Sequence, residues 1–504
     1  MQMTAMNISL TGASTSKEMN WNSIPWSKVN SEVKRLQMRI AKAMREKRFG
    51  KVRALQRLLT HSFYSKCLAV KRVVQNKGSK CPGVDGIIWR TKQQMMQAIL
   101  SIKRLGYKSQ PLRRIYIPKK NGQRPLSIPT MKDRAMQALH LLSLEPVAET
   151  VADKNSYGFR PKRSAADAII QCYNCLCRKN SAKWIFEGDI KSFFDRVSFD
   201  WLGNNILMDK VILKKFLQAG YIEKTNLEAT TQGFPQGAII SPALALIVLS
   251  GLEEKLAHKF KRNRGKIHAI IYADDFVITG ETREVLENEV VPLVEHFLAD
   301  RGLELSKEKS RITHISEGFD FLGFNVRKYG KELKFLTKPT KASIKSFLAD
   351  IKATIRVNFG SKTEDLIRLL NPKITGWSNY YRHSAASEIF SYIDNRVYKM
   401  LDRWTQKRHY DKGSRWIYQK YFQRNASSRR WHFHAKIKDS KRNNTCLNLK
   451  LASDTKIIRH TKIFADAHPY DPSYFEYFQK REEYSRVSPI VMNCSRVYPG
   501  LINA

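Results

Sequence analysis

The chain has 504 residues and carries 89 Lys plus Arg against 45 Asp plus Glu, a net charge of +44 with a pI near 10.0; that excess predicts a polyanionic partner, most simply nucleic acid. An anionic membrane is disfavoured: no amphipathic helix with both a concentrated basic face and a large apolar face stands out, and the longest apolar run, 238–252, is interrupted by Ser241, Pro242 and Ser250 and falls short of the ~18 apolar residues of a span. The 42% hydrophobic content supplies cores for roughly three or four domains, while seven cysteines make no disulfide framework in so long a chain and Met1–Asn20 holds no signal-peptide core, which together point to a reducing compartment.

Residues 1–20, rich in Ser, Thr, Asn and Met, read as a disordered leader. Trp26–Leu59 then shows a helical apolar stripe (Val29, Val33, Leu36, Ile40, Ala43) on a basic background, with 11 Lys/Arg against two Glu over residues 28–57. Charge runs are usually solvated faces, but the excess of one sign favours contact with phosphates. From about 60 to 330, strands are predicted at 114–118, 183–189, 268–272, 276–279, 311–315 and 319–326. Helices are predicted at 91–105, 131–150, 165–178, 240–260 and 283–301. Interspersed strands and helices indicate an α/β or α+β organisation. Cys172, Cys175 and Cys177 fall in a run that reads helical; a zinc site needs a fourth ligand, so unpaired thiols on a helix face are favoured. After Pro339 the pattern turns helical, at 341–357, 362–370, 380–383 and 389–408. From 409 on, aromatics interleave with cations (Tyr410, Arg415, Trp416, Lys420, Arg429, Arg430, Trp431). That mixture suits backbone phosphates with base stacking, and equally a basic domain with a small aromatic core.

Four stretches carry candidate chemistry. Arg113–Leu126 reads as strand, turn, strand with cations on both arms; it is either a solvated basic turn or a hairpin that folds over a triphosphate, with Lys119 and Arg124 neutralising it. In Trp184–Phe194 an apolar strand ends at Asp189, with Phe193 and Phe194 just beyond. Gln232–Gly237 sets two glycines around Pro235, which lets backbone approach a bulky ligand closely, although alone it is only a turn. In Ile270–Ile278, Asp274 and Asp275 sit side by side between two apolar runs, a hairpin with both acids at its tip. Paired carboxylates repel, and hard oxygen ligands suit Mg²⁺. The pair is therefore either a polar turn or part of a two-metal site, for which Asp189 is the third acid.

The order of these pieces resembles the reverse transcriptases encoded by group II introns, over about 21–484. Cys81–Gly86 is similar to that family's amino-terminal extension block, Arg124–Pro129 and Ser156–Pro161 to its first fingers blocks, and the Asp189 segment, Pro235–Gly237 and the Tyr272 hairpin to its palm motifs. Gly302–Ser310 and Phe321–Phe324 resemble the last two blocks, and Ile374–Tyr381 the maturase region. The resemblance implies an α+β, right-hand polymerase: leader 1–20, N-terminal RNA-binding extension 21–110, fingers and palm 111–335, helical thumb or maturase domain 336–408, and a basic DNA-binding region 409–504. It implies that Asp189, Asp274 and Asp275 bind two Mg²⁺ ions and that Lys119 and Arg124 grip an incoming deoxynucleoside triphosphate. Phe194 would reject a 2′-hydroxyl, Gln236 would hold the nucleotide, and a lysine of 302–310, either Lys307 or Lys309, would lie near the pyrophosphate. Asp195 and Glu187 read either as structural acids or as supports behind the metal-binding ones. The implied partners are the intron RNA, an RNA template with primer, and target DNA, with no membrane, in a bacterial cytoplasm or an organelle. Two other readings stay open: an RNA-binding splicing cofactor with a vestigial polymerase, and a reverse transcriptase recruited elsewhere, as in phage defence.

Two departures stand out. Ala273 occupies a position where many members carry Val or Ile, a change expected to alter packing at the primer end. His460–Tyr484 resembles the stretch that leads into a cysteine-ligated endonuclease, yet only Cys494 follows Cys446, so no complete endonuclease is expected.

Overall fold

The structure, a computed structural model, describes residues 20–119, 122–424, 431–438 and 444–487. The leader 1–19, Arg429, Arg430 and Cys494 therefore lie outside the described residues, as do the side chains of Lys119 and Trp431. Helices and sheets are mixed throughout, in two compact units: residues 1–151 with 192–248, and residues 152–191 with 249–504.

In the first unit the apolar stripe of Trp26–Arg45 is buried as its spacing predicts, with Val29, Val33, Leu36, Ile40 and Ala43 each nearly inaccessible. The stripe packs on the largely buried helix Met131–Val151, and Gln37 Nε2 donates to the Leu142 carbonyl at 2.7 Å. The single helical run expected to Leu59 is two helices, Trp26–Arg45 and Phe49–His61, because Lys47 takes a left-handed φ of 55°, a conformation that ends an α-helix. The extension block is tied in by Arg134, whose guanidinium donates to the carbonyls of Gly78 (2.9 Å), Cys81 (2.6 Å) and Pro129 (2.9 Å). The hairpin of Leu112–Lys119 and Gly122–Ile128 pairs in antiparallel register, and its first strand runs parallel to Tyr221–Glu223. Tyr221–Glu223 and Asn226–Glu228 are strands too short for the sequence pattern to reveal.

The second unit is built on four antiparallel strands: β1 (Trp184–Gly188), β2 (His268–Tyr272), β3 (Asp275–Gly280) and β4 (Arg311–His314), in the order β2-β3-β1-β4. Ile185, Ile270 and Val277 share one face of the sheet and fill the core beneath it. Where one helix was expected over 240–260, there are two, Ser241–Leu249 and Leu252–Lys259, broken at Gly251 with φ 93°. Asp153 caps the second, accepting from the Gly251 and Glu253 N–H groups at 3.0 and 3.2 Å. The strand expected over 319–326 is likewise two, Phe319–Phe321 and Phe324–Tyr329, separated by Leu322 and Gly323, both at positive φ. That turn is where two sequence landmarks meet. Tyr380 donates to the Leu322 carbonyl at 2.8 Å, and Tyr381 to that of Gly323 at 3.1 Å. A side chain at Gly323 would stand 2.8 Å from the Tyr381 hydroxyl. The helices expected separately at 362–370 and 380–383 are one, Thr363–Tyr381, in spite of Pro372. Its buried Trp377 stacks on Phe347 at 4.9 Å and anchors the helices Lys341–Val357 and Ser387–Arg408; tertiary packing outweighs the local cost of the proline.

Candidate active site

Strand β1 is central, so both its edges are paired and its end is held in place. Gly188 closes the strand opposite Phe276, and an added Cβ there would lie 2.2 Å from the Phe276 ring. Glycine is required for that ring to cover the strand end. Asp189 follows directly, one residue beyond the Gly188–Phe276 pair and so in register with Asp275. The β2–β3 hairpin pairs Tyr272 with Asp275 and turns on Ala273 and Asp274. Ala273 takes φ 56°. A β-branched residue would strain that turn more than alanine does, so the Ala273 departure bears on the shape of the turn itself. The turn rests on Ser156–Gly158: Tyr157 N–H donates to the Ile271 carbonyl at 2.8 Å, Ile271 N–H to that of Asn155 at 3.0 Å, and a Cβ at Gly158 would stand 2.1 Å from the Ala273 nitrogen.

The 302–310 block straps Asp189 from the other side. Ser306 N–H donates to the Asp189 carbonyl at 2.8 Å, and Asp189 N–H donates to Ser310 Oγ at 3.2 Å. Lys309 Nζ reaches both Asp189 carboxylate oxygens, at 3.1 and 3.3 Å; of the two candidate lysines, it is the one placed at the acid. Loss of surrounding water, with like charge from Asp274 and then Asp189, raises Asp275 to about 7, against an opposing pull from Lys309. The residue as a whole is exposed at the hairpin tip, so water reaches it and the like charges are the durable part of the shift. Among the described residues, no group of three or more His, Cys, Asp or Glu is drawn together tightly enough to hold a metal ion as it stands, the three cysteines included. The donor set itself, carboxylate oxygens crowded by their own charge, is the chemistry that suits a hard divalent cation. Glu187 is held apart from it, in a bidentate pair with Arg311 (2.7 and 3.0 Å) and a bond from Thr313.

The remaining candidates lie in the first unit. Phe194 is wedged edge-on between Phe193 and Phe234, at 5.4 and 5.1 Å. The Gln232–Gly237 loop binds back on it: Phe234 N–H donates to the Phe194 carbonyl and Gly233 N–H to that of Val197, both at 2.7 Å. Gly233, at φ 77°, approaches so closely that a Cβ would meet the Phe194 carbonyl oxygen at 2.4 Å. Gln236 accepts at its carbonyl from Ser127 N–H at 2.8 Å, which docks the loop on the hairpin strand. Phe194, Asp195, Gln236 and Arg114 line one cavity of about 230 Å³. Arg114 was not singled out by sequence; its guanidinium stacks 3.7 Å over Tyr221. Asp195 accepts from Gln236 Nε2 at 3.4 Å. Arg124 is half-buried opposite Ile117 and does not line this cavity.

Residues 117–326 match the family described as reverse transcriptase (RNA-dependent DNA polymerase), residues 21–102 the N-terminal domain of reverse transcriptase, and residues 344–422 the group II intron, maturase-specific domain. The chain belongs to the group II intron reverse transcriptase and maturase family. It is 30% identical over 363 residues to Protein YkfC of Escherichia coli (strain K12), covering 60% of this chain and 92% of that one. It is 28% identical over 413 residues to the group II intron-encoded protein LtrA of Lactococcus lactis subsp. cremoris (62% and 68% covered). It is 27% identical over 322 residues to the putative COX1/OXI3 intron 2 protein of Saccharomyces cerevisiae (51% and 36%). This reverse transcriptase and maturase acts in intron splicing and mobility, binds intron RNA, and shares its family's general use of a divalent metal and deoxynucleoside triphosphates. Among the described residues, no helix is long and apolar enough to cross a membrane.

The segment His460–Tyr484, read from sequence only as a lead-in to a further domain, has a structural task here. Asp167, fully buried at the start of the helix Ala165–Leu176, accepts from His460 Nε2 (2.9 Å), Ile463 N–H (2.8 Å) and Arg481 (3.0 Å), and its other oxygen accepts from Ser164. Burial alone would raise this carboxyl; His460, then Arg481 and the Ile463 N–H, overcome it and hold Asp167 at about 2. The isolated Asp167, His460 and Arg481 carry no spacing signal that pairs them.

Proposed function

We propose that this enzyme synthesises DNA on an RNA template by nucleotidyl transfer at Asp189, Asp274 and Asp275, which would hold two Mg²⁺ ions. The observation that carries the reading is the register of β1 with the hairpin, which sets Asp189 in line with Asp275, together with the loss of water and the like charges of Asp274 and Asp189 that raise Asp275. When bound, the ions would supply electrostatic stabilisation for the attacking 3′-hydroxyl and the leaving pyrophosphate. The chain's own groups do the rest. Ser306 and Ser310 fix the Asp189 backbone, and Lys309 brings a proton-bearing cation to the same place, suited to a pyrophosphate leaving group. The hairpin arms carry Lys119 and Arg124 for the triphosphate. Phe194, locked by two phenylalanines, would stand beneath the sugar and exclude a 2′-hydroxyl, while Gln236 would hold the nucleotide. In this reading 111–335 forms fingers and palm, 336–408 the thumb, and 409–504 a DNA-binding region. A primed RNA template and target DNA are its further partners.

Primer extension by the purified protein tests it. The wild type extends a DNA primer on RNA, and Asp274→Ala abolishes extension; retention at the wild-type rate would sink the assignment.

A further inference from the structure

A second cavity in the first unit, of about 290 Å³, shares no residue with the one at Phe194. Its walls come from the end of the helix Phe49–His61, from the helix Phe63–Gln75, from the loop 103–105 and from the helix Met131–Val151. Lys66, Lys103 and Arg104 are among its lining residues. Arg104 is spoken for by Asp209, which also caps the helix Lys210–Leu217 through the Val211 and Ile212 N–H groups at 3.0 and 3.2 Å. Lys66 and Lys103 form no ion pair among the described residues. Burial and the Lys103 charge depress the Lys66 pKa, the sign of two cations brought together without a counter-ion.

The same lining includes Met136, Leu139 and His140, all buried. Burial lowers His140 to about 4, so its ring is neutral at pH 7, and it is set edge-on to Phe216 at 6.0 Å. At the mouth, Leu105 is 90% exposed. Two unpaired cations and a buried apolar lining in one cavity suit an anionic group joined to a planar ring. A smooth polyanion-binding surface needs only cations on an open face, with no buried apolar lining.

We propose that this cavity binds a nucleoside monophosphate unit, the phosphate between Lys66 and Lys103 and the base over Met136, Leu139 and His140. The unit is either a free nucleotide or a single residue of an RNA strand turned into the cavity. Base contact with such a lining is tolerant of sequence, so the subsite reads the presence of an unpaired base and not its identity.

The experiment compares wild-type protein with Lys66→Gln/Lys103→Gln and with a charge control far along the chain, Lys179→Gln/Lys331→Gln. AMP, adenosine and inorganic phosphate are titrated by calorimetry, and a single-stranded RNA carrying 4-thiouridine is photo-crosslinked, with the linked peptides mapped by mass spectrometry. If free nucleotide is the ligand, AMP binds more tightly than either fragment, and the Lys66/Lys103 pair weakens it at least tenfold while the control does not. If the source is RNA, AMP binding is absent, crosslinks map to 60–66, 103–105 or 136–140, and their yield falls at least tenfold in the Lys66/Lys103 pair alone. Absence of both AMP binding and these crosslinks in the wild type, or equal values in both double variants, overturns the proposal. An unchanged thermal midpoint confirms that the variants are folded.

Discussion

Asp167 and Asp275 belong to the same unit, yet their surroundings push them in opposite directions. Asp167 is closed in by His460, Arg481 and N–H donors and is held at about 2. Asp275 is raised to about 7 by loss of surrounding water and by the charges of Asp274 and Asp189, with Lys309 the one opposing influence. Every lone pair of the first is used up by the protein that surrounds it, so it serves as a fastener. The second is short of positive charge and waits on something from outside, as perturbed groups at functional sites do. Crowding alone does not tell a structural acid from a working one; the balance of partners does.

The contrast can be broken from either end. The largest effect is expected at the working end: Asp189→Asn should cut primer extension by at least about 10³-fold, roughly 4 kcal/mol, while the unfolding midpoint in denaturant stays within error. At the fastened end, Asp167→Ala should do the reverse. It leaves His460 and Arg481 facing a void and should cost about 3–5 kcal/mol of stability, read by urea unfolding, while the rate per folded molecule stays within about twofold. The same carboxylate sets an acid limit. Its folded pKa lies below its unfolded value near 3.9, so its contribution is complete above about pH 4 and is lost as pH falls through 2. That is about 2–3 kcal/mol, open to acid titration followed by circular dichroism, and the loss should vanish in Asp167→Asn. The smallest effect is a matter of fit: Gly158→Ala drives a methyl into the backbone of Ala273 and should cost about 1–3 kcal/mol. It should lower extension without touching any acid. Equal activity and stability in that variant would mean that the hairpin tip is not held from below.

Much of this was open to inspection before any coordinates. The stripe Val29, Val33, Leu36, Ile40 and Ala43 repeats at helical spacing and is buried as a unit. The hairpin around Asp274 is legible because its two short, continuous apolar arms leave only one place for the acids. The breaks were not legible. Lys47 and Leu322 interrupt elements that local propensity would continue, and at Gly251 and Leu322 the break is held by a partner from elsewhere: Asp153 for the helix at Leu252, Tyr380 and Tyr381 for the turn at Gly323. Lys307 and Lys309 are alike in composition and two residues apart, so only the straps from Ser306 and Ser310 decide which of them reaches Asp189.

Sequence by itself determined the family, the order of the blocks and the identity of the three acids, because those depend on residue types at short, local spacings. Tertiary structure decided which carboxylates are neutralised and which are left in need. That depends on groups 120 to 314 positions apart, Asp189 with Lys309 or Asp167 with His460 and Arg481. Coulomb interactions fall with distance in space and take no account of distance along the chain.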